Sequence, residues 1–467
     1  MPKLHYQETD AHTSISDEFE HAPINDRRLV KRLCYTAVQL AKQPEKSIAA
    51  ACGSWVDAKG AYELFNNAKV SCAKMLQSHH ECTIERMKTC ETVLVVQDTT
   101  ALDFNTRRKT TGLGPVNDSI RSLGLFIHSA LAVTTTGVPL GLLSLDIWAR
   151  DVAEHGKRDQ RKEKTISEKE SNKWLEAMDK SLLGLPDNIR AVTVCDRESD
   201  IFDFAAKAVA ENRHLLFRVA QNRGVQSEYR TLFEHVNQAP IQGHCTVDVP
   251  RKPGSNQPPR RALLTVRACP VTVKPPLKRA GEHLSPITLY AVDAREENAP
   301  VGIEPLHWLL LTTLPVATLQ DAVEKIGWYR HRWKIERFHF ILKSGCKVED
   351  LQLGTANRLK KAITLYAVVA WRLAWITYQA RETPDIPCCV IFSQNEWQAL
   401  WRHANPGKKP PVQPPPLKDA VLWLAKLGGF LGRKSDGNPG VKVLWSQCRY
   451  AVPCRVLAIQ FLPPSLP

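Results

Sequence analysis

The spacing of apolar and polar residues predicts a helical first part of the chain and a longer second part in which buried strands alternate with helices. In the first part the spacing predicts helices over 26–43 and 57–67, a short helix from Ser47, and a further helix to about Lys88. From Thr92 the pattern becomes a continuous apolar run, which is typical of a strand buried on both faces. These elements predict a small helical bundle followed by the start of a sheet.

The elements after Thr92 follow the order of three strands, a helix, a strand, a helix and a strand. The strands are predicted over 92–98, 125–133, 138–148, 189–195 and 214–219, and the helices over 168–183 and 199–212. An antiparallel meander continued by crossover helices is the order of a ribonuclease-H-like core. The predicted fold class is therefore α/β, with Asp98 and Asp196 placed where two adjacent central strands end.

A β-rich stretch separates this core from its last helix. Between about Val225 and Pro305 the helical signal disappears, and short β-rich runs alternate with Pro, Gly and basic residues. Helical spacing returns at Leu319, so we interpret the stretch as an insertion into the core. The predicted organisation is a helical domain over 1–70, an α/β domain over 71–380 with a β-rich insertion at about 225–310, and a helical region over 381–467.

The segment over 319–345 is predicted to be one continuous helix. At about 100° per residue, Tyr329, Arg332, Glu336 and Lys343 share one narrow face. Apolar side chains flank that face, namely Trp328, Ile335 and Leu342 on one side and Ile326, Trp333 and Phe340 on the other. A half-buried carboxylate there needs cationic neighbours or a metal ion. A partly buried ladder of salt bridges is an equally open interpretation.

The positive net charge indicates which kinds of partner suit this protein. Lys and Arg number 63 against 48 Asp and Glu, which gives +15, and the excess is spread along the chain. A broadly basic chain of 467 residues most often meets a polyanion, although ribosomal proteins, membrane-surface proteins and merely basic enzymes share this property. The basic first turns of the helix over 26–43 suit contact with DNA, and an ordinary helical cap is the alternative.

Two other classes of protein are disfavoured by the sequence. The thirteen cysteines are scattered without a CxxC pair, so neither a disulfide framework nor a structural zinc site is indicated. No apolar run reaches the roughly 18 residues that span a bilayer, and the first twenty residues are polar and acidic rather than a signal peptide. We therefore expect a cytoplasmic protein that does not enter a membrane.

Three carboxylates that are far apart in sequence suit a metal site. Asp98 and Asp196 end predicted strands, and Glu336 lies on the predicted helix. Hard cations such as Mg²⁺ or Mn²⁺ prefer carboxylate oxygen, and two such ions about 4 Å apart serve phosphoryl transfer. Each aspartate alone favours the interpretation of a turn residue that merely ends a strand. The strand order and the basic charge favour the metal site when the residues are taken together.

At these residues the sequence resembles bacterial cut-and-paste insertion-sequence transposases of the DDE class. The matching blocks are QDTT at 97–100, CDRESD at 195–200 and the set of Tyr329, Arg332, Glu336 and Lys343. The stretch over 51–62 and the WLLLTT run from Trp308 extend the resemblance over nearly the whole chain. The resemblance implies a DNA-binding amino-terminal domain, a ribonuclease-H-like core and a carboxyl-terminal region that pairs two subunits.

The resemblance also implies roles for individual residues. It makes Asp98, Asp196 and Glu336 the catalytic ligands of two Mg²⁺ ions, for which Mn²⁺ is a substitute. The residues implied to contact DNA are Tyr329, Arg332, Lys343, Arg197, Arg218 and Trp308, the last as a platform for a flipped base. Phe340 and Ala220 depart from the family, which has lysines at these positions, and this changes the expected contacts with the DNA strands.

The implied reaction begins with a nick at the transposon end. The freed 3′-hydroxyl then forms a hairpin on the opposite strand, the hairpin is opened, and the end is joined to target DNA by a homodimer in a synaptic complex. A DNA-binding regulator that inhibits transposition through mixed dimers remains an alternative, as does a structure-specific nuclease on the same fold. The intact set of three carboxylates argues against the regulator.

Overall fold

A computed structural model describes residues 14–433 except for 108, 118, 155–164, 250–257 and 428, and it also describes residue 439. Most of the polar amino-terminal segment and the end of the region over 381–467 lie outside the described residues.

Five helices form the amino-terminal part. They are α1 (Asp17–Glu20), α2 (Arg27–Lys42), α3 (Ile48–Cys52), α4 (Trp55–Asn66) and α5 (Cys72–Met87). The four longer helices begin at a residue whose side chain accepts a hydrogen bond from a backbone N–H of the first turn, namely Asp26, Ser47, Ser54 and Ser71. The helical bundle predicted from the apolar spacing is confirmed.

The central domain is built from strands with crossover helices. In chain order its elements are β1 (Thr92–Asp103), β2 (Gly114–Pro115), β3 (Leu123–Thr134), β4 (Pro139–Trp148), α6 (Lys173–Ser181), β5 (Arg190–Cys195), α7 (Phe202–Ala210) and β6 (His214–Arg218). β1, β3 and β4 pair antiparallel, whereas β5 lies parallel to β1 and β6 lies parallel to β5. The chain is therefore a mixed α/β protein, as predicted.

The β-rich stretch extends the same sheet. It contains α8 (Leu232–Gln238), β7 (Ile241–Val249), β8 (Arg260–Val273), β9 (Ile287–Glu296) and β10 (His307–Thr312). In the described residues the ten strands form one sheet in which β4 pairs with β3 and the others have the order β2-β3-β1-β5-β6-β10-β9-β8-β7. The prediction that helical structure is absent here is wrong, because Thr231 and Glu234 form a capping box that starts α8.

Helices cover both faces of the sheet. One face packs against α9 (Leu319–Arg330), α10 (Trp333–Phe340) and α11 (Ala356–Glu382), and the opposite face packs against α6, α7 and α8. Two further helices, α12 (Gln394–Ala404) and α13 (Leu417–Leu427), pack near the end of α11. The described part of the chain holds no helix with the length and apolar character of a membrane span.

A buried ion cluster joins the amino-terminal helices to the sheet. The Glu18 carboxylate on α1 accepts hydrogen bonds from Arg86 Nη1 at 2.7 Å and from His79 Nδ1 at 2.5 Å, both on α5. His79 Nε2 accepts the backbone N–H of Leu142 on β4. Arg86 also lies over the ring of Trp371 on α11. Glu18 and His79 are fully buried, so their partners are required to offset desolvation.

Candidate active site

Asp98 and Asp196 occupy equivalent positions on two neighbouring parallel strands. The last residues that β1 and β5 pair are Val96 and Val194. Asp98 lies two residues farther along β1, and Asp196 lies two residues after Val194, directly beyond the end of β5. Because side chains alternate along a strand, both aspartates lie on the face that packs against α9 and α10. Asp98 is not at a strand terminus as predicted, since β1 remains paired with β3 to Asp103.

The Asp98 side chain is largely buried and surrounded by like charge. One oxygen accepts the backbone N–H of Thr99 at 2.9 Å, and the other lies 3.7 Å from His339 Nδ1. Burial raises the pKa of Asp98 to about 7, with a further increase from the charge of Asp196 and a smaller one from Glu336. Asp196 and Glu336 therefore lie close enough to Asp98 to disfavour its charged form.

Asp196 starts a short 3₁₀ turn, Arg197–Ser199, directly after β5. Its Oδ1 accepts the backbone N–H of Glu198 at 2.9 Å, and its carbonyl oxygen accepts the Ser199 hydroxyl at 2.7 Å. The bond from Glu198 orients the Asp196 carboxylate, and within the described residues no protein donor is assigned to its Oδ2.

The glutamate lies on a helix that is broken rather than continuous. α9 ends at Arg330 and α10 begins at Trp333, and across the break Arg332 N donates to Tyr329 O in the tighter i to i−3 pattern. His331 Nε2 donates to the carbonyl of Thr135 in the β3–β4 turn at 3.0 Å. A Cβ at Gly137 of that turn would lie 2.8 Å from the His331 ring. The contact with this distant turn accompanies the break that the local sequence pattern did not predict.

The break still leaves the predicted polar residues together. Arg332 Nη2 donates to Glu336 Oε1 at 2.6 Å, and the Arg332 side chain is only 10% exposed. Burial lowers the pKa of Arg332, but Tyr329 and Glu336 outweigh that effect and the net direction is upward. Burial also raises the pKa of the Tyr329 hydroxyl, with Arg332 and Arg218 acting against the rise. Trp333 was predicted to line the apolar flank, but it is 58% exposed.

The remaining predicted residues border the same edge of the sheet. Lys343 lies in a π-helical turn, Ile341–Gly345, and its amino group donates to the Ala101 carbonyl at 2.9 Å. The rings of Trp308 and Tyr329 meet edge to face with centroids 6.0 Å apart. The Arg218 guanidinium donates to the His307 carbonyl at 2.7 Å, and burial lowers its pKa. Arg197 is exposed beside Asp196, and Ala220 is exposed just beyond β6.

Asp200 is a buried residue of this region that the pattern of strands and helices did not single out. It accepts the backbone N–H groups of Ala220 and Gln221 at 2.7 and 2.8 Å and the Arg223 Nε at 2.9 Å. Its side chain thereby ties the turn that begins at Asp196 to the loop that follows β6. The signal was available in the CDRESD block, in which Asp200 lies four residues after Asp196.

Two further residues near Asp98 were also missed. His339 lies three residues after Glu336, on the same side of α10, and its Nε2 is 3.2 Å from the Ser129 hydroxyl. Burial lowers the pKa of His339 to about 3, which keeps its ring neutral. Lys173 on α6 is largely buried within 4.0 Å of Glu198, and its charge acts on Asp98. No periodic signal in the sequence indicates that α6 lies at this edge.

The donor chemistry of the three carboxylates fits a divalent cation. Asp98, Asp196 and Glu336 supply only carboxylate oxygen, which suits Mg²⁺ and Mn²⁺. In the described part of the chain, however, no three or more His, Cys, Asp and Glu side chains are arranged closely enough to hold an ion. One oxygen of Glu336 is instead hydrogen-bonded to Arg332. A cation held by all three carboxylates therefore requires them to lie closer together than they do in this structure.

Comparisons with known proteins match the two ends of the chain. A family model described as transposase DNA-binding matches residues 12–70, and a model described as the transposase Tn5 dimerisation domain matches residues 368–453. A solved structure, the piggyBac transposase synaptic complex with hairpin DNA, aligns over 98% of this chain and 85% of that one. At 12% identity and a TM-score of 0.33, that similarity carries no argument here. The two domain matches support a Tn5-like transposase.

Proposed function

We propose that this chain is a DNA transposase that cuts transposon ends and joins them to target DNA, and that its central domain is a ribonuclease-H-like catalytic core. The observation that supports the proposal most is the placement of Asp98 and Asp196 on neighbouring parallel strands beneath the helix that carries Glu336. The strand order β4-β3-β1-β5-β6 supports the assignment of the core. The family matches at both ends support DNA binding and dimerisation.

In this proposal Asp98, Asp196 and Glu336 hold two Mg²⁺ ions, with Mn²⁺ as a substitute. The ions supply activation of the attacking oxygen and stabilisation of the leaving one. The protein itself keeps the carboxylates oriented. Thr99 and Glu198 donate backbone N–H groups to the aspartates, and Arg332 holds Glu336 until a DNA phosphate competes for its guanidinium.

The surrounding residues are proposed to hold the DNA strand. Arg197, Arg218, Arg332 and Lys343 supply positive charge around the carboxylates, and Tyr329 supplies a hydroxyl at the base of the site. Trp308 presents an aromatic ring against Tyr329, where a base displaced from the duplex is able to stack. Such stacking favours the sharp bend that a hairpin intermediate requires.

The test uses purified protein and duplex DNA that carries the terminal sequence of the element encoding this chain. With Mg²⁺ the proposal predicts nicked, hairpin and joined products in that order. Products that are cut but never joined support a structure-specific nuclease on this fold instead. Tight binding without any cut product supports a DNA-binding regulator of transposition.

A further inference from the structure

A cluster of charged residues beyond the proposed active site has no role in the reaction described above. Asp293 on β9 is buried, and its two carboxylate oxygens face His307 Nε2 at 2.6 Å and Arg295 Nη2 at 3.5 Å. The Asp293 side chain is 1% exposed, whereas those of His307 and Arg295 are 47% and 40% exposed. The buried carboxylate therefore faces two basic side chains whose other sides meet solvent.

The cluster lies on the same edge of the sheet as Asp98 and Asp196. β6 ends at Arg218 at the level of the catalytic edge, and β10 runs antiparallel to it, so the start of β10 at His307 projects past that edge. His307 pairs with Arg295 on β9 in register. The Arg218 guanidinium also donates to the His307 carbonyl, which joins the cluster to the arginines near the carboxylates.

The positions of the Arg295 and His307 side chains are held by three elements. Asn237 at the end of α8 accepts a hydrogen bond from Arg295 Nη2 at 3.2 Å, and Asp293 orients the His307 ring. Asp293 Oδ2 and Arg295 Nε are buried without a hydrogen-bond partner in the described residues. A purely structural ion pair would satisfy these atoms better, because unpaired buried polar atoms cost free energy. The arrangement instead keeps Arg295 and His307 directed outward beside the strand that carries Trp308.

We propose that Arg295 and His307 form a contact for the phosphate backbone of the DNA held at the active site, with Asp293 as the residue that positions them. The inference rests on the proposed function. His307 and Arg295 are paired on adjacent strands, which lie about 4.8 Å apart, on the face of the sheet that packs against α8, and Arg218 reaches the His307 carbonyl from the face that carries the carboxylates. The three side chains therefore place positive charge on both sides of this edge of the sheet. Such positive charge complements a sugar-phosphate backbone, and Arg is well suited to bind phosphate.

The test measures equilibrium binding of the full chain to terminal duplex DNA in the absence of divalent metal, so that no cleavage occurs. The variants are Arg295→Gln and His307→Gln, which retain hydrogen-bonding side chains. The control is Arg190→Gln, an exposed arginine at the opposite edge of the same sheet, on β5. We expect about tenfold weaker binding for Arg295→Gln and a log–log salt slope smaller by about 0.9. The control should bind like the wild type.

A second arm replaces single phosphates by neutral methylphosphonates. Replacing the contacted phosphate should weaken DNA binding by the wild type but should not weaken DNA binding by Arg295→Gln any further. Placing the replacement in transposon-end, flanking or target DNA identifies which DNA supplies the phosphate. Thermal unfolding of each variant excludes loss of the fold as the cause. Unchanged affinity and salt slope in both variants would overturn the inference. Absence of DNA binding by the wild type would instead contradict the proposed function.

Discussion

The Arg332 guanidinium lies 2.6 Å from the Glu336 carboxylate, one helical turn away on α10. Its charge also acts on Asp98, whose pKa it lowers against the effects of burial and of the other carboxylates. Arg332 is thus the counter-charge of the acidic group in this structure. It offsets only part of the effects of burial and of the neighbouring carboxylates, because the pKa of Asp98 remains raised to about 7.

The raised pKa of Asp98 predicts that the folded protein becomes less stable as pH rises. A carboxyl whose pKa is about 7 when folded and near 3.8 when unfolded binds a proton more readily in the folded state. Stability is therefore lost as pH rises from about 4 through 7. Without divalent metal, Asp98→Asn should raise the unfolding temperature at pH 8 and change it little near pH 4. Thermal melts across this range measure the effect, and an equal shift at both pH values would contradict the raised pKa of Asp98.

Removing the charge of Glu18, which is buried in an ion pair with Arg86, is expected to destabilise the fold, whereas Asp98→Asn is expected to stabilise it at pH 8. Burial favours the neutral acid, but Arg86 and His79 lower the pKa of Glu18 to about 2. This pair stabilises the fold above pH 4.5, and the contribution is lost as pH falls toward 2. Glu18→Gln leaves Arg86 without its partner and should cost about 3–5 kcal/mol at pH 7. The exposed neighbour Glu20→Gln is the control and should change the free energy of unfolding little, as denaturant titration will show.

The loop after β6 depends on Asp200. Asp200→Ala removes the acceptor of two backbone N–H groups and of Arg223 Nε, so the loop carrying Ala220 should loosen. We expect weaker binding of terminal DNA together with a higher Mg²⁺ requirement for cleavage, because the same side chain supports the turn that begins at Asp196. Asp187→Ala, at an exposed position just before β5, serves as a control for loss of an acidic residue. Equal behaviour of the two variants would mean that Asp200 has no special role.

Replacement of Trp308 is expected to impair one step of the reaction, the formation of the hairpin. Its ring packs edge to face on Tyr329, and stacking of a displaced base on it contributes about 1–3 kcal/mol. Trp308→Ala should make the first nick but accumulate nicked DNA before the hairpin. An abasic site near the terminus should partly restore the hairpin, because the displaced base then no longer needs a platform. Equal loss of nicking and hairpin formation, or loss of the fold, would assign Trp308 to the core.

Features of the fold that depend on residues close together in sequence were predicted, whereas features that depend on contacts between distant residues were not. The helices over 26–88 followed from apolar spacing and Ser or Asp caps, which act within one turn. The buried strands β1 and β5 followed from continuous apolar runs, and the positions of Asp98 and Asp196 from where those runs end. The break at His331 did not follow, because it accompanies a contact with Thr135, which lies 196 positions earlier in the chain.

The same distinction applies to the candidate site. Tyr329, Arg332 and Glu336 share a face because of helical periodicity, which survives the short break. Lys173 and Asp200 act through packing between elements that no local pattern relates. The assignments of the metal ligands and of the DNA contacts remain predictions that rest on this arrangement and on the family resemblance.

The central claim is tested most directly by a cleavage and joining assay on terminal duplex DNA with wild-type chain and Glu336→Gln. Glu336→Gln removes one carboxylate charge at nearly constant volume, while the residues proposed to contact DNA are retained. With Mg²⁺ we expect nicked, hairpin and joined DNA from the wild type and none from the variant, and binding of similar strength by both when Ca²⁺ replaces Mg²⁺. Strong cleavage by Glu336→Gln would contradict the account.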